Sequence, residues 1–239
     1  MRFSDIIDFL DKLRAPKMRM VQTTRTTFSG SVIAYKLCEE DLDAYMWHNK
    51  DTRPDCCPIC HNALEKVINH DFVVTMKRAD IGVTYDGYDI VSEKFVNFCR
   101  ENNYSNLRIE PLEKCHGLYF FQPTDCFGFD FKKYGTRFYE KRKCCGSYDE
   151  IIGSPNIKAP DFKLPGDDFI MTSKYMFASY ERKFYEIIVG TVTKKKMQQY
   201  GLKGLYFDKV YDSKGLKVTK KTIEVRDYML ESRGGPEVD

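Results

Sequence analysis

The sequence predicts an α+β fold, β-rich, with a few helices packed on a mixed or antiparallel sheet. Short runs of β-branched and aromatic residues, such as Phe184 to Val189 and Leu205 to Tyr211, recur between clusters of Gly, Pro, Asn and Asp. Helical periodicity is confined to three short stretches. Two cysteine clusters, Cys56-Cys57-Pro58-Ile59-Cys60 and Cys144-Cys145, are placed to staple distant segments together. With 42% hydrophobic residues, 16 Tyr and 17 Phe in 239 residues, the chain can build a sizeable core and is not of disordered composition.

Taken in order, Phe3 to Leu13 reads as an amphipathic helix with Ser4 as N-cap and Ala15-Pro16 as its stop. The basic, Thr-rich stretch to Thr27 reads as a loose connection, and Val32 to Leu37 as a strand. The acidic run Glu39-Glu40-Asp41-Leu42-Asp43 reads as a turn leading to Trp47. Phe72 to Met76 is strand-like, and Gly82 to Ile90 joins β-formers through turn residues. Ser92 caps a helix to about Asn102, with Phe95, Val96, Phe98 and Cys99 on its buried face. Leu107 to Leu112 and His116 to Phe121 are strands, and Phe127 to Tyr139 alternates as a half-buried strand or hairpin. Phe169 to Met171, Phe184 to Val189 and Leu205 to Tyr211 are strands, with a helix over Thr193 to Tyr200 ended by Gly201.

This reading divides the chain into residues 1–27 (helix and linker), 28–152 (a cysteine-stapled α+β region), 153–168 (a Pro/Gly-rich linker), 169–231 (a β-α-β region) and 232–239 (a flexible tail). The strand–helix–strand unit from Ile90 to Leu112 echoes the one from Ile188 to Val210. The echo fits two related halves, and equally the shared look of short β-α-β units.

Charge is balanced, 38 Lys+Arg against 35 Asp+Glu, and a net +3 does not point to nucleic acid. No apolar run reaches the length of a membrane helix, and the N-terminus lacks the apolar core of a signal peptide, so a cytoplasmic protein is expected. Its nine cysteines are then expected as thiols or metal ligands. The four histidines are isolated, and no P-loop, dinucleotide fingerprint, nucleophile elbow or zinc-protease motif occurs, so nothing marks an enzyme. Lys194-Lys195-Lys196 and Lys220-Lys221 read as solvated faces. The residues Glu39, Glu40, Asp41, Asp43, Tyr45 and Trp47 read either as a solvated turn or as a docking patch for a basic partner with aromatic anchors.

The strongest chemical signal is Cys57-Pro58-Ile59-Cys60: thiolates at i and i+3 can face one ion while the turn's N–H groups donate to the sulfurs. A thioredoxin-type role would need this motif to open a helix after a strand, and here it follows the loop Asn49 to Pro54. With Cys144 and Cys145 the set becomes Cys57, Cys60, Cys144 and Cys145, the donors of a structural zinc site. Adjacent residues usually point apart, so Cys144 and Cys145 both reach one ion only if the Gly146 turn allows it. Otherwise Cys56, His61 or another distant cysteine supplies a ligand.

The order of several of these features resembles the double-CxxCG immunity-type proteins, among the immunity proteins of bacterial polymorphic toxins. The resembling parts are Cys57-Pro58-Ile59-Cys60, the helix start Val91-Ser92-x-x-Phe95, the strand ending Glu110-Pro111-Leu112, Cys145-Gly146, and Gly201-Leu202-Lys203-Gly204-Leu205-Tyr206-Phe207. Two positions depart: His61 stands where the first motif has Gly, and Arg142 where the second has its first Cys. The resemblance implies an intracellular antidote that binds and blocks a cognate toxin, and it does not name the toxin or the contact residues. A zinc-containing nucleic-acid-binding or nucleic-acid-processing protein is the alternative, and an enzyme of unrecognised type a third.

Overall fold

A computed structural model of the chain describes residues 18–28, 30–48, 53–213 and 216–226. The chain divides into two compact units, Met1–Ser29 with Leu216–Asp239, and Gly30–Gly215. In the first, β1 (Met18–Phe28) and β13 (Leu216–Arg226) pair antiparallel from Met18↔Arg226 to Phe28↔Leu216. The Thr-rich stretch expected as a loose connection is therefore a strand. Its β-branched residues find a partner almost the whole chain away, which no local pattern announces. The helix expected at Phe3 to Leu13 and the tail 232–239 lie outside the described residues.

The second unit is a mixed sheet of β2 (Val32–Leu42), β3 (Ile81–Thr84), β4 (Asp89–Ser92), β5 (Leu107–Pro111), β6 (Leu118–Pro123), β7 (Cys126–Phe127), β8 (Arg137–Lys141), β9 (Tyr148–Ile152), β10 (Ile170–Ser179), β11 (Phe184–Gly190) and β12 (Leu205–Tyr211). The strand order is β5-β6-β4-β3-β2-β11-β10-β9-β8, with β12 also on β2 and β7 on β10. Its helices among the described residues are α1 (Glu93–Glu101), the single turn α2 (Phe131–Tyr134) and α3 (Thr191–Gln199). The β-rich α+β expectation holds. No helix among the described residues is long and apolar enough to cross a membrane.

The echo in the sequence has a structural counterpart. β4, α1 and β5 form a split unit in which antiparallel β6 lies between the two parallel-running strands. β11, α3 and β12 repeat that arrangement around β2. Each helix follows its strand without a loop, and Ser92 caps α1 by accepting from the Phe95 N–H. Phe95, Val96, Phe98 and Cys99 of α1 enter one core cluster with Met197 of α3, and the Phe98 and Tyr200 rings lie 5.3 Å apart.

Strand alternation assigns the faces. Val91, Phe121, Ile187 and Val189 join the cluster under the helices. Their neighbours Ile90 and Phe120 join a second cluster with Met46, Phe72 and Tyr88. Ile188 joins a third with Phe127, Phe169 and Val210.

Four further expectations are corrected. The acidic run is not a turn: Glu39 pairs with Leu205, and Glu40, Asp41 and Leu42 pair with Gly82, Val83 and Thr84, so β2 runs on through it. Phe72 to Met76 is no strand, because the Val74 N–H donates to Cys115 Sγ instead of to a neighbouring strand, and Val73 is 66% exposed. The stretch from Phe127 to Tyr139 is interrupted by α2, which Asp130 caps and Gly135 closes in the left-handed region (φ 82°). Residues 153–168 do not separate domains: Ile157 is fully buried and bridges Tyr211, and Phe162 packs 4.9 Å from the Phe127 ring. The apolar residues within the Pro-rich stretch dock it onto the third cluster.

Candidate metal centre

The first cysteine turn is closed by two backbone bonds: the Cys57 N–H donates to the Asn62 carbonyl (2.8 Å) and the His61 N–H to the Cys57 carbonyl (2.9 Å). The turn needs a left-handed residue at its end, and His61 supplies it with φ 57°. The second turn repeats this backbone. The Arg142 N–H donates to the Ser147 carbonyl and the Gly146 N–H to the Arg142 carbonyl, both at 2.8 Å, with Gly146 at φ 74°. Cys145-Gly146 thus corresponds to Cys60-His61, and Arg142 to Cys57. The sulfur missing at Arg142 comes from Cys144.

The four sulfurs of Cys57, Cys60, Cys144 and Cys145 lie within 4.8 Å of one another. Cys57 Sγ is 3.8 Å from Cys144 Sγ, and Cys60 Sγ is 3.6 Å from Cys145 Sγ. These separations are too long for disulfides, and all four cysteines are free. A tetrahedral ion with metal–sulfur bonds of about 2.3 Å places its ligands about 3.8 Å apart, so the donor set fits a metal ion. Cys56 and His61 are not in the cluster. The Cys56 thiol is held up at about 12 by burial and by the neighbouring Asp55, and His61 is exposed.

The first turn prepares one of the sulfurs for ionisation. Backbone N–H groups of Cys60 and Ile59 donate to Cys57 and bring its thiol down to about 7. Cys144 is pushed up to about 12, first by its contact with Cys60, and burial raises Cys145. Crowded sulfurs of this kind share their negative charge readily only with a cation among them.

Around the sulfurs lies a shell with no sequence signature. The Asn62 side chain donates to Cys60 Sγ (3.5 Å) and to Asp149 Oδ1 (2.7 Å). Arg142, freed from a ligand's role, forms a two-pronged pair with Asp149. Lys183, 1% exposed, donates to Asn62 Oδ1 (2.9 Å), Ser147 Oγ (3.2 Å) and the Tyr148 carbonyl. A buried ammonium and a guanidinium beside four sulfurs offset the charge of a thiolate site.

A second buried network fastens the first turn to the β3–β4 hairpin. Arg53 pairs with Asp55, which also accepts from the Tyr88 hydroxyl (2.7 Å). Burial opposes the Asp55 charge, yet the bonds from Arg53 and Tyr88 outweigh it and hold its carboxyl below the usual range. Lys66 donates to the Asp86 and Lys183 carbonyls at 2.7 Å, and burial pulls its ammonium down to about 8.

The acidic–aromatic patch is dispersed by its strand. Glu39 and Asp41 line a cavity of about 370 Å³. Glu40 accepts from Tyr206, and Asp43 from the Tyr85 hydroxyl (3.2 Å), whose ring lies 5.2 Å from Tyr45. Trp47 is engaged internally, with Nε1 donating to the Val67 carbonyl (3.0 Å) and its ring on the second cluster. Of the lysine run, Lys194 lies 3.9 Å over the Tyr35 ring and Lys196 pairs with Asp168.

No protein-family model matches the chain, and none of the curated proteins matches it.

Proposed function

We propose that the protein is an immunity-type antitoxin that binds and neutralises a cognate toxin, with a structural zinc ion on Cys57, Cys60, Cys144 and Cys145. The observation that carries this reading is the pair of matching turns. Two short cysteine motifs far apart in the chain converge with the same backbone hydrogen bonds, and their sulfurs meet at tetrahedral spacing. The paired Cys-turn arrangement is what the resemblance to double-CxxCG immunity-type proteins implies, and His61 and Cys144 account for the two departures. Four thiolates at about 2.3 Å bond length favour zinc, with iron as the competing ion for the same donor set.

The metal would act as an internal staple, and toxin binding would fall to the exposed surface. Neutralisation is by occlusion: a preformed face covers the toxin's active site or blocks its movement, over an interface of roughly 1,600 Å². The protein would act in the cytoplasm, where its thiols stay reduced.

The gene immediately upstream tests the function: a large secreted protein with a C-terminal toxin domain is expected there, and co-expression of the chain with that domain is the assay. Survival of the cells, together with a complex recovered from them, is expected; a chain that neither rescues nor binds sinks the proposal. Elemental analysis of protein purified without chelator tests the metal, and less than about 0.2 zinc per chain in a folded preparation counts against it.

A further inference from the structure

The cavity of about 370 Å³ lies where β2 changes partners. β11 pairs with β2 over Ala34 to Leu37, and β3 over Glu40 to Leu42. At the change Cys38 and Glu39 remain paired only to β12. Its aromatic and aliphatic lining is Tyr85, Phe184, Tyr185, Leu37 and Val83.

The charged groups facing the cavity are Lys36, Glu39, Asp41, Arg182 and Glu186. Lys36 is engaged: its ammonium is 3.8 Å from Glu186 and donates to Ser154 Oγ at 3.0 Å. Arg182 is exposed. Glu39 is different in kind. Its Oε1 is buried and has no hydrogen-bond partner among the described residues; burial first, and then the Asp89 and Glu186 carboxylates, disfavour its charge, against a bond from its own backbone N–H. Buried polar groups are nearly always paired, so an unpartnered carboxyl oxygen on a residue that lines a cavity leaves an acceptor open to a donor that displaces the groups now covering it. The negative field also reaches the neighbouring thiol: Cys38 is pushed up to about 11, by burial first and then by Asp208 and Glu39.

We propose that this cavity receives the side chain of an arginine presented by a partner protein, its guanidinium donating to Glu39 and its plane and stem lying on the tyrosine and phenylalanine walls. Arginine fits better than lysine because the guanidinium is planar, sheds water more readily and stacks on aromatic faces. A volume of about 370 Å³ holds one side chain together with some flanking backbone, within the range of about 300–1,000 Å³ usual for ligand sites. Exposed Asp41 at the cavity and Asp43 beside Tyr85 would favour the approach of a basic surface. The inference rests on the reading that the protein works by binding another protein, and it names the anchor of that contact.

The test uses full-length isotope-labelled protein titrated with a blocked glycyl-arginyl-glycine peptide, with the glutaminyl peptide as control. Saturable amide shifts at Glu39, Tyr85 and Tyr185 are expected with the arginyl peptide alone. Glu39→Gln, with the rest of its spectrum unchanged, should bind that peptide at least about tenfold more weakly, the loss of one charge-assisted pair. Absence of shifts at the cavity, or equal affinity in Glu39→Gln, overturns the proposal, and so does equal response to the glutaminyl peptide. No toxin enters this experiment, so a failed rescue with intact peptide binding would remove the antitoxin reading and leave the arginine site standing.

Discussion

If a metal ion joins the two cysteine turns, as proposed, replacing Cys57 by Ser or stripping that ion should cost the protein about 4–5 kcal/mol of stability, the figure following from loop closure. In the unfolded chain each half of the site can still hold an ion locally, since Cys57 and Cys60 lie on one turn and Cys144 and Cys145 on another. Uniting the halves means closing a loop across the 87 positions between Cys57 and Cys144. For a cross-link of that span the chain-entropy term is about 4–5 kcal/mol at 25 °C. At about 2–4 °C per kcal/mol for a chain of this size, the thermal midpoint should fall by roughly 10–20 °C. The assay is thermal and urea unfolding of the reduced protein before and after chelation, with metal added back. Cys57→Ser should unfold at the chelated midpoint and no longer respond to chelator. An unchanged midpoint after chelation, with thiols confirmed reduced and metal confirmed removed, would refute the staple.

Three further outcomes follow from named contacts. Asn62→Ala removes the donor to Cys60 Sγ and Asp149 and the acceptor of Lys183; it should cost about 1–3 kcal/mol and weaken metal binding about 10–100-fold, read by urea midpoint and competitive chelation. Burial raises the Asp89 carboxyl from 3.8 to about 7, opposed by Lys66 and reinforced by Glu186. The unfolded chain therefore ionises first as pH rises, and the folded state loses stability between about pH 4 and 7 with a slope near 1.4 kcal/mol per unit for this group. Asp89→Asn should flatten that slope in urea titrations across the window, and an unaltered slope would contradict the assignment. Gly190→Ala would place a Cβ 2.2 Å from the Asp167 carbonyl oxygen where β11 enters α3, and should lower the urea midpoint by an amount equivalent to about 1–3 kcal/mol.

Elements whose causes lie within about ten residues were legible in the chain. The α1 helix was readable from its Ser92 cap and apolar spacing, and β12 from its alternation between Gly204 and Asp212. The acidic half of β2 was misread because composition suggested a turn, whereas Gly82 to Thr84 and Leu205 supply its backbone partners. β-formers at Phe72 to Met76 had the right composition and no strand beside them. Composition leaves Trp47 open between a solvated turn and a docking patch, and only the fold shows its indole donating to the Val67 carbonyl.

The metal centre divides along the same line. By itself the sequence determined the Cys57–Cys60 turn and the presence of thiols at Cys144 and Cys145, because ligand spacing on a tight turn is a local property. Only the tertiary structure decided that both adjacent cysteines reach the cluster, that Arg142 keeps the turn's backbone while turning its side chain to Asp149, and that Asn62 and Lys183 brace the sulfurs. The unpartnered Glu39 oxygen likewise lies where β2 passes from the register of β11 to that of β3, which no local pattern shows. Caps, turns and periodicity are written within a few residues. Strand partners, ligand shells and cavities depend on segments that meet only when the sheet forms.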